Sequence, residues 1–488
     1  MRRRLTILLL AALAAVSAVS CAAQVRAGAA SMVITPTPGG HPVYLGGFGH
    51  NRIASAVHDP LYARCLALEI GHKIVVLCSA DLIGLFYEDV LKIRRSFQVR
   101  APAGSQLVIA CTHVHEGPDT LGLWGPSADQ SGVDPQYLEW IEERIATSAL
   151  DAVHALQPAR IELARDDHPL LAQLQSVDRP PYVKDPYLFV MRLVATAGDR
   201  EKTIATLVNW SDHPETLNRK NTLITADYAR WICLYLEQHY GGTALFFNRA
   251  VGKVSTLGSQ VAPLDPETGK VAEDGAWRKP ELLGTMLGQL SERALQHAES
   301  IAPDAVTFHS SLVFVPLANN RFRVAVGTGI FSGRRPLFTG GKPDSSSGKP
   351  TADSGQAAMA ASGRDLETEV DYITLKSGKA LLAEFVTIPG EIFPELVNGG
   401  ITRYPGADFP DAALETPVHD MLQSQYQFVL GLGNDEIGYL IPKAEWDEHA
   451  PWLQNNPEPY YGEINSAGPD TAAAVLGALS DLIAASQH

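Results

Sequence analysis

Short runs of apolar and β-branched residues alternate along the chain with longer segments whose apolar residues recur every three or four positions. The first pattern predicts strands and the second predicts amphipathic helices. Strands are predicted at 61–70, 73–80, 107–111, 188–194, 204–210, 244–248, 371–375, 380–387 and 427–432. Helices are predicted at 87–99, 138–156, 223–240, 281–300 and 471–486. We therefore expect an α/β fold, a mixed sheet with flanking helices, in which ligands bind at the carboxyl ends of strands.

One stretch of the chain lacks such a pattern. From about Gly327 to Arg364 the sequence is rich in Gly, Ser, Pro, Lys and Ala. A segment of this composition buries too little apolar surface to offset the entropy of ordering it, so we expect a long loop or flexible insertion at 327–364. No internal repeat is visible, and residues 27–488 are predicted to form a single large domain that contains this insertion.

Residues 1–20 have the pattern of a signal peptide. Three arginines at positions 2–4 precede an apolar run from Leu5 to Val19, which is too short to span a bilayer. We expect export from a bacterial cell, to the periplasm, to the outer membrane as a lipoprotein, or to the medium. The segment Ala18-Val19-Ser20-Cys21 resembles a lipoprotein cleavage box. Lipidation of Cys21, which would add a peripheral membrane contact, and simple release at a nearby small residue are equal alternatives.

Charge and cysteine content limit the possible partners. The formal net charge of -15 argues against a nucleic-acid partner, because phosphates require a basic surface. Beyond the signal peptide and Cys21 the cysteines are Cys65, Cys78, Cys111 and Cys233, without the close pairs of structural zinc sites. Cys78 and Cys111 lie in apolar runs where a buried free thiol is at least as favoured as a disulfide. The sequence therefore favours no particular disulfide and leaves open whether any forms.

Histidines and acids follow several of the predicted strands. His113 and His115 come after the strand that ends at Cys111, and alternate residues of an extended chain point to the same side. His213 follows the strand that ends at Trp210, and Glu391 follows Pro389-Gly390. Each residue alone also has an ordinary structural explanation, His213 as a turn histidine and Glu391 as a helix N-terminal acid. Together they offer the imidazoles and carboxylate that an open catalytic zinc requires.

The order of these segments resembles the neutral/alkaline non-lysosomal ceramidase family, specifically its N-terminal catalytic domain. The resemblance covers nearly the whole chain after the signal peptide, and no one motif is decisive. It rests on the following segments: Ala29 to Pro36, Leu45 to Gly49, Val57 to Arg64, Thr112 to Pro118, His213-Pro214, Ala226-Asp227, Pro389 to Glu391 and Gly438-Tyr439.

The resemblance implies a single Zn²⁺ held by four residues: His113, His213, Glu391 and Tyr439. It also implies that His115 faces the substrate as a hydrogen-bond donor or proton shuttle, a use that suits imidazole. Tyr439 would additionally help to stabilise the oxyanion of the reaction.

Two further positions match the family, with departures. Arg179 lies in a segment that lines the family's pocket and could hold a substrate oxygen, although a surface arginine in a proline-rich loop is an equal alternative. Ser255 matches a serine discussed as nucleophile or substrate-binding hydroxyl. Lys253, Thr256 and Leu257 depart from the family's pattern around that serine, which weakens the assignment of its role.

The resulting functional hypothesis is an exported zinc amidohydrolase that cleaves the N-acyl bond of ceramide or a related lipid amide. The first alternative is a hydrolase of another amide, ester or lactone on the same scaffold, which the altered segment around Ser255 favours. The second is a non-catalytic, surface-binding lipoprotein, for which loss of the metal-binding residues would be the sign. All four residues are present.

Overall fold

The computed structural model describes residues 24–39, 41–198, 201–258, 261, 263–344, 351 and 353–487. The predicted signal peptide and Cys21 lie outside these residues, so both remain predictions. Among the described residues, no helix combines the length and the apolar character that crossing a bilayer requires.

The chain forms short strands and helices in alternation. The strands are β1 (Arg26–Val33), β2 (Ala56–Val57), β3 (Tyr62–Ile70), β4 (Lys73–Ala80), β5 (Gln106–Cys111), β6 (Gln157–Asp166), β7 (Ser176–Val177), β8 (Leu188–Ala195), β9 (Lys202–Trp210), β10 (Leu223–Ile224), β11 (Thr243–Asn248), β12 (Val254–Ser255), β13 (Glu299–Ile301), β14 (Ala305–Pro316), β15 (Leu337–Thr339), β16 (Lys342–Pro343), β17 (Asp365–Ser377), β18 (Ala380–Ile388), β19 (Glu391–Ile392), β20 (Gln427–Gly431) and β21 (Tyr439–Leu440). The helices are α1 (Tyr87–Gln98), α2 (Pro135–His154), α3 (Pro169–Gln173), α4 (Asp227–Tyr240), α5 (Arg278–Leu295), α6 (Asn320–Thr328), α7 (Ser354–Ala360), α8 (Pro394–Asn398), α9 (Val418–Met421), α10 (Tyr461–Ile464) and α11 (Thr471–Ala485), with 3₁₀ turns at Lys443–Glu445 and Leu453–Asn455.

Two mixed sheets carry most of the strands. The larger has nine strands in the order β11-β9-β8-β6-β1-β3-β4-β5, with β13 paired to β6. The second has six in the order β16-β15-β17-β18-β20, with β14 paired to β17. Three neighbouring pairs in these sheets are parallel, namely β4 with β5, β9 with β11, and β18 with β20. Parallel neighbours end at the same edge of a sheet, so each pair brings two strand ends together.

The two sheets pack face to face, and helices cover their outer faces. Leu66 of β3 and Phe385 of β18 belong to one apolar cluster between the sheets. Helices α1 and α2 pack against β3 to β5, α4 and α5 pack against β8, β9 and β11, and α11 covers the second sheet. The predicted α/β fold, with a mixed sheet and flanking helices, is confirmed.

The central strands are apolar on both faces because both faces are covered. In β3, Cys65 and Ala67 face the helices, whereas Leu66 and Leu68 face the second sheet. This alternation explains why the strands are readable in the sequence as near-continuous apolar runs. The predictions fail at some ends: the helix predicted at 223–240 begins only at Asp227, after the short strand β10, and the helix predicted at 281–300 ends at Leu295.

The structure defines the disulfide state of the cysteines, which the sequence left open. Cys65 and Cys78 are disulfide-bonded, whereas Cys111 and Cys233 are buried free thiols. The reason is the register of the β3–β4 hairpin: a two-residue turn at Gly71 and His72, both with positive φ, places Cys65 directly opposite Cys78.

The structure also corrects part of the expectation for 327–364. Strands β15 and β16 and helix α7 lie in this segment, so its described part is not devoid of regular structure. Phe331, Leu337 and Phe338 are buried there and supply the apolar surface that its overall composition conceals. Whether the segment is flexible remains a prediction.

Candidate metal centre and active site

The carboxyl ends of β5, β9, β11, β18 and β20 point toward one region at the junction of the two sheets. Hydrogen bonds between side chains and backbone hold the strand ends together. Asn248 Nδ2, at the end of β11, donates to the Thr112 carbonyl at 2.5 Å. Asn209 Nδ2 of β9 donates to the Val429 carbonyl of β20 at 2.9 Å. Loops that leave these ends therefore meet, although they are far apart in sequence.

His113 and His213 present the same ring nitrogen to the centre of this region. The Nδ1 atom of His113 lies 2.7 Å from the Ile83 carbonyl oxygen, and that of His213 lies 2.5 Å from the Val254 carbonyl oxygen. A carbonyl accepts, so Nδ1 carries the hydrogen in both rings and Nε2 is left for the site. The two Nε2 atoms lie 3.5 and 3.0 Å from Oε2 of Glu391.

Glu391 and Tyr439 enter the site on two short parallel strands. Glu391 of β19 pairs with Tyr439 of β21, and its N–H donates to the Gly438 carbonyl at 3.1 Å. Gly390 permits this approach, since a Cβ there would lie 2.4 Å from the Gly438 oxygen. Tyr439 is buried, and burial together with the charge of the nearby Glu391 carboxylate raises the pKa of its hydroxyl. All four residues that the resemblance named as metal ligands are thus brought together.

His115 lies in the same group, by a different backbone path from the one predicted. The chain is not extended at His113, whose φ is 65°, so the argument from alternating side chains does not hold there. The ligand atoms of His113, His115 and His213 nevertheless lie within 4.8 Å of one another. The His115 ring also packs edge-on against Phe48, with 5.0 Å between ring centroids. The turn, rather than strand alternation, brings the pair to one site.

The charges of these groups depend on one another. Burial would raise the pKa of Glu391, but the charges and hydrogen bonds of His113 and His213 lower it below its usual range. Burial would lower the pKa of His213, yet the hydrogen bond with Glu391 and the charge of Glu215 raise it to about 10. For His115 burial prevails and lowers the pKa to about 4. The site therefore contains a carboxylate beside imidazoles of unequal basicity.

The donor set fits a zinc ion. Imidazole nitrogen and carboxylate oxygen, without sulfur, are ligands that catalytic zinc uses. The carbonyls on Nδ1 of His113 and His213 are the outer contacts that fix metal-binding histidines in one orientation. Two ligand sets are compatible with the geometry: both histidines with Glu391 and Tyr439, or both histidines with His115.

A cavity of about 250 Å³ opens above this group. Its floor holds the three histidines, Glu391 and Tyr439, and its walls are largely aromatic and aliphatic. The apolar wall consists of Phe48, Phe86, Leu121, Leu123, Trp124, Phe322 and Phe331. A second cavity of about 640 Å³ shares Phe48, Leu123, Trp124, Phe322, Phe331 and Tyr461 with the first. The two cavities adjoin through these shared residues, and together they are called the passage below.

Ser255 lines the cavity, beside a carboxylate that the sequence analysis missed. Its hydroxyl donates to Oε1 of Glu215 at 2.5 Å, and Oε2 of Glu215 lies 3.3 Å from Nδ1 of His115. Burial would raise the pKa of Glu215, but His115, His213 and Ser255 lower it to about 2. The position of Glu215 two residues after His213 was the available signal.

Two other residues near the site have structural partners. Lys253, the departure beside Ser255, pairs with Glu395 at 2.5 Å, although it also lines the cavity. Arg179 does not line the cavity. Its guanidinium binds both carboxylate oxygens of Glu463, at 2.6 and 2.8 Å, and lies 4.0 Å from the centre of the Tyr460 ring. The prediction that Arg179 holds a substrate oxygen is therefore not supported, because the side chain is committed to an ion pair outside the cavity.

Comparison with known proteins gives matches at the level of structure. No protein-family model matches the sequence, and no curated protein matches it. The crystal structure of neutral ceramidase from Pseudomonas aeruginosa is similar, with a TM-score of 0.64 and 16% identity over 95% of this chain and 75% of that one. A structure described as ceramidase complexed with C2 is similar to the same extent, with a TM-score of 0.65 and 16% identity. The chain therefore has the fold of neutral ceramidase.

Proposed function

We propose that the chain is an exported, zinc-dependent amidohydrolase of the neutral ceramidase family, which cleaves the N-acyl bond of ceramide or a related lipid amide into a fatty acid and an amine. One observation carries the proposal: His113, His213, Glu391 and Tyr439, remote in sequence, meet at the floor of an apolar cavity. The shared fold agrees with it.

The shape and lining of the cavity favour a substrate with an apolar chain. Much of the lining of the passage is aromatic or aliphatic, although polar side chains such as Arg321 and Lys253 also line it. An acyl chain in the passage would bury apolar surface at about 25 cal/mol per Å² and place its amide beside the histidines. A lipid amide has this division between an apolar tail and a polar reacting group.

The residues of the floor have separate tasks in hydrolysis. A zinc ion, when bound, supplies a polarised carbonyl and an activated water. Tyr439 would donate its hydroxyl hydrogen to the oxygen that becomes negative, and His115 would move a proton to the departing nitrogen. The apolar walls, Phe331 and Phe48 among them, would exclude bulk water around these groups.

Export is supported by the Cys65–Cys78 disulfide. Disulfides persist in oxidising compartments and are rare in the cytosol. This agrees with the signal-peptide pattern of residues 1–20, which lie outside the described residues. Lipidation of Cys21 stays a proposal on the sequence pattern alone.

A hydrolase of another amide, ester or lactone is the second candidate. It is favoured by the commitment of the Ser255 hydroxyl to Glu215 and by Lys253, which is committed to Glu395. The non-catalytic binding lipoprotein is less well supported, because the predicted metal-binding residues converge instead of being dispersed.

Metal analysis and a substrate panel test the proposal. We expect purified protein to contain about one zinc per chain and to release fatty acid from ceramide. The Glu391→Gln variant should lose both the bound zinc and the release of fatty acid. The matched variant Glu139→Gln, on the exposed face of α2, should keep both. Zinc with cleavage of short esters alone would favour the second candidate. Protein without metal or hydrolysis after zinc reconstitution would contradict the proposed function.

A further inference from the structure

Glu215 is a buried carboxylate that bridges two residues of the cavity wall. It follows His213-Pro214 and is 8% exposed. One carboxylate oxygen accepts from the Ser255 hydroxyl, and the other lies 3.3 Å from Nδ1 of His115. Glu215 therefore lies between the serine and the histidine to which the sequence analysis assigned separate roles.

The Ser255 hydroxyl is arranged to hold this carboxylate. Its hydrogen goes to Glu215, and its oxygen accepts from the Leu257 backbone N–H at 3.1 Å. A nucleophilic serine needs a base that takes its proton, and a carboxylate already paired with an imidazole is a poor one. The geometry suits a serine that fixes the carboxylate better than one that attacks the substrate.

The backbone and ring of His115 are confined on the other sides. Its N–H donates to the Pro214 carbonyl at 3.1 Å, and its carbonyl accepts from Arg52. A Cβ at Gly47 would lie 2.3 to 2.7 Å from the His115 ring and Cβ atoms, so the ring rests directly on that glycine. Among all these contacts, Glu215 is the polar side chain that approaches Nδ1.

The contact between Glu215 and His115 is close without being an ideal hydrogen bond. The 3.3 Å separation is within ion-pair range, but its angle leaves Nδ1 without a hydrogen-bond partner. The carboxylate is thus placed to select the Nδ1-protonated form of His115 and leave Nε2 as a proton acceptor.

We propose that Glu215, held by Ser255, is a positioning residue that fixes the orientation and tautomer of His115 for proton transfer. The inference rests on the proposed hydrolytic function. Nε2 of His115 takes a proton from the attacking water as oxygen bonds to the acyl carbon. It returns that proton to the nitrogen as the carbon–nitrogen bond breaks, so the amine leaves neutral and no proton is lost. Glu215 acts through its contact with His115 and does not touch the substrate.

The isosteric variant Glu215→Gln separates this role from mere space-filling. The glutamine oxygen can still accept from Ser255, which turns its NH₂ group toward Nδ1 and favours the Nε2-protonated imidazole. Because that tautomer cannot take a proton at Nε2, we expect kcat to fall about 100-fold or more. KM should change less than about threefold, because substrate binding comes from the apolar walls. Ser255→Ala should lower kcat about fivefold, the effect of one lost hydrogen bond.

The experiment combines kinetics with a direct reading of His115. Zinc-loaded protein labelled with nitrogen-15 histidine is examined by long-range proton–nitrogen NMR, with the His115 signals assigned from His115→Gln. We expect hydrogen on Nδ1 in the wild type and on Nε2 in Glu215→Gln, with equal zinc content. Glu139→Gln, an exposed acid of α2, is the matched control for the loss of one carboxylate.

The outcomes distinguish the inference from the proposed function. The same His115 tautomer in both proteins, or wild-type kcat in Glu215→Gln, would overturn the positioning role. Loss of zinc from Glu215→Gln would also overturn it, because His115 would then act as a metal ligand. If Glu215→Gln fails to fold, Ser255→Ala decides: unchanged kcat and an unchanged His115 spectrum reject the proposal. A wild type that hydrolyses no N-acyl lipid refutes the proposed function, while the tautomer measurement still tests whether Glu215 fixes His115.

Discussion

Reduction of the Cys65–Cys78 disulfide should lower the stability of the fold by an amount set by the loop that it closes. The sequence separation is 13 residues. Chain entropy gives roughly 2.1 + 1.5R ln 13, about 9.7 cal/mol/K, which corresponds to ~2.9 kcal/mol at room temperature. The two strands are already paired through backbone hydrogen bonds in the native hairpin, so the loss falls mainly on the constraint of the unfolded chain.

Urea unfolding with and without a phosphine reductant measures this effect. We expect the wild type to lose about 3 kcal/mol in the free energy of unfolding on reduction. The Cys65→Ala/Cys78→Ala variant should not respond to the reductant, since Cys111 and Cys233 are free thiols. Peptide mapping of unreduced protein should show residues 65 and 78 cross-linked. Equal stability of oxidised and reduced wild type, or four free thiols among these cysteines, would refute the reasoning.

Three further changes test other parts of the structure. Arg179→Ala should destabilise the fold by about 3–5 kcal/mol, because it leaves the buried Glu463 without its ion-pair partner. A raised KM with normal thermal stability would instead indicate that Arg179 binds the substrate. Gly47→Ala should abolish most of the activity, because the new Cβ would collide with His115. Gly104→Ala is the control, since Gly104 also has a positive φ but lies in open space, and this variant should keep its activity. Equal activities of the two variants would contradict the packing of His115 on Gly47. The pKa of His419 is lowered to about 4 by burial and by the charge of Arg249, so the unfolded chain takes up its proton first. The contribution of His419 to stability should therefore be largest above about pH 6.5 and fall by roughly 1–2 kcal/mol toward pH 4. The difference in unfolding free energy between the wild type and His419→Gln, measured across this range, tests it.

The sequence predicts the strands best where both faces of a strand are covered. The runs at 73–80 and 427–432 are mostly apolar, and both are strands, the second ending one residue earlier. Strand β14 was not predicted because its middle, around His309 and Ser310, is partly exposed and carries polar residues. Periodicity along the chain does not predict which strands pair when they are far apart in the sequence.

The site is predictable to the extent that its residues follow strand ends. His113, His213, Glu391 and Tyr439 could be named from their motifs, and the fold brings them together. Glu215 was missed because an acid after a proline is ordinary, and only the structure shows it between Ser255 and His115. The ion pair of Arg179 could not be predicted because its partner, Glu463, lies 284 residues away in the sequence.

The Cys65–Cys78 pair could have been found from the sequence by a simple argument. If Gly71 and His72 form a two-residue turn, residues equidistant from it face each other, and Cys65 is as far before the turn as Cys78 is after it. The pair was not identified from the sequence because each cysteine was considered within its own strand instead of within the hairpin.

The central claim is that four residues distant in the chain hold one zinc ion at the floor of an apolar cavity. Anomalous diffraction at the zinc edge, from crystals of protein purified without added metal and then reconstituted, tests this directly. We expect one strong peak beside Nε2 of His113 and of His213, within reach of Glu391 and Tyr439. A peak elsewhere, or none at full zinc saturation, would contradict it.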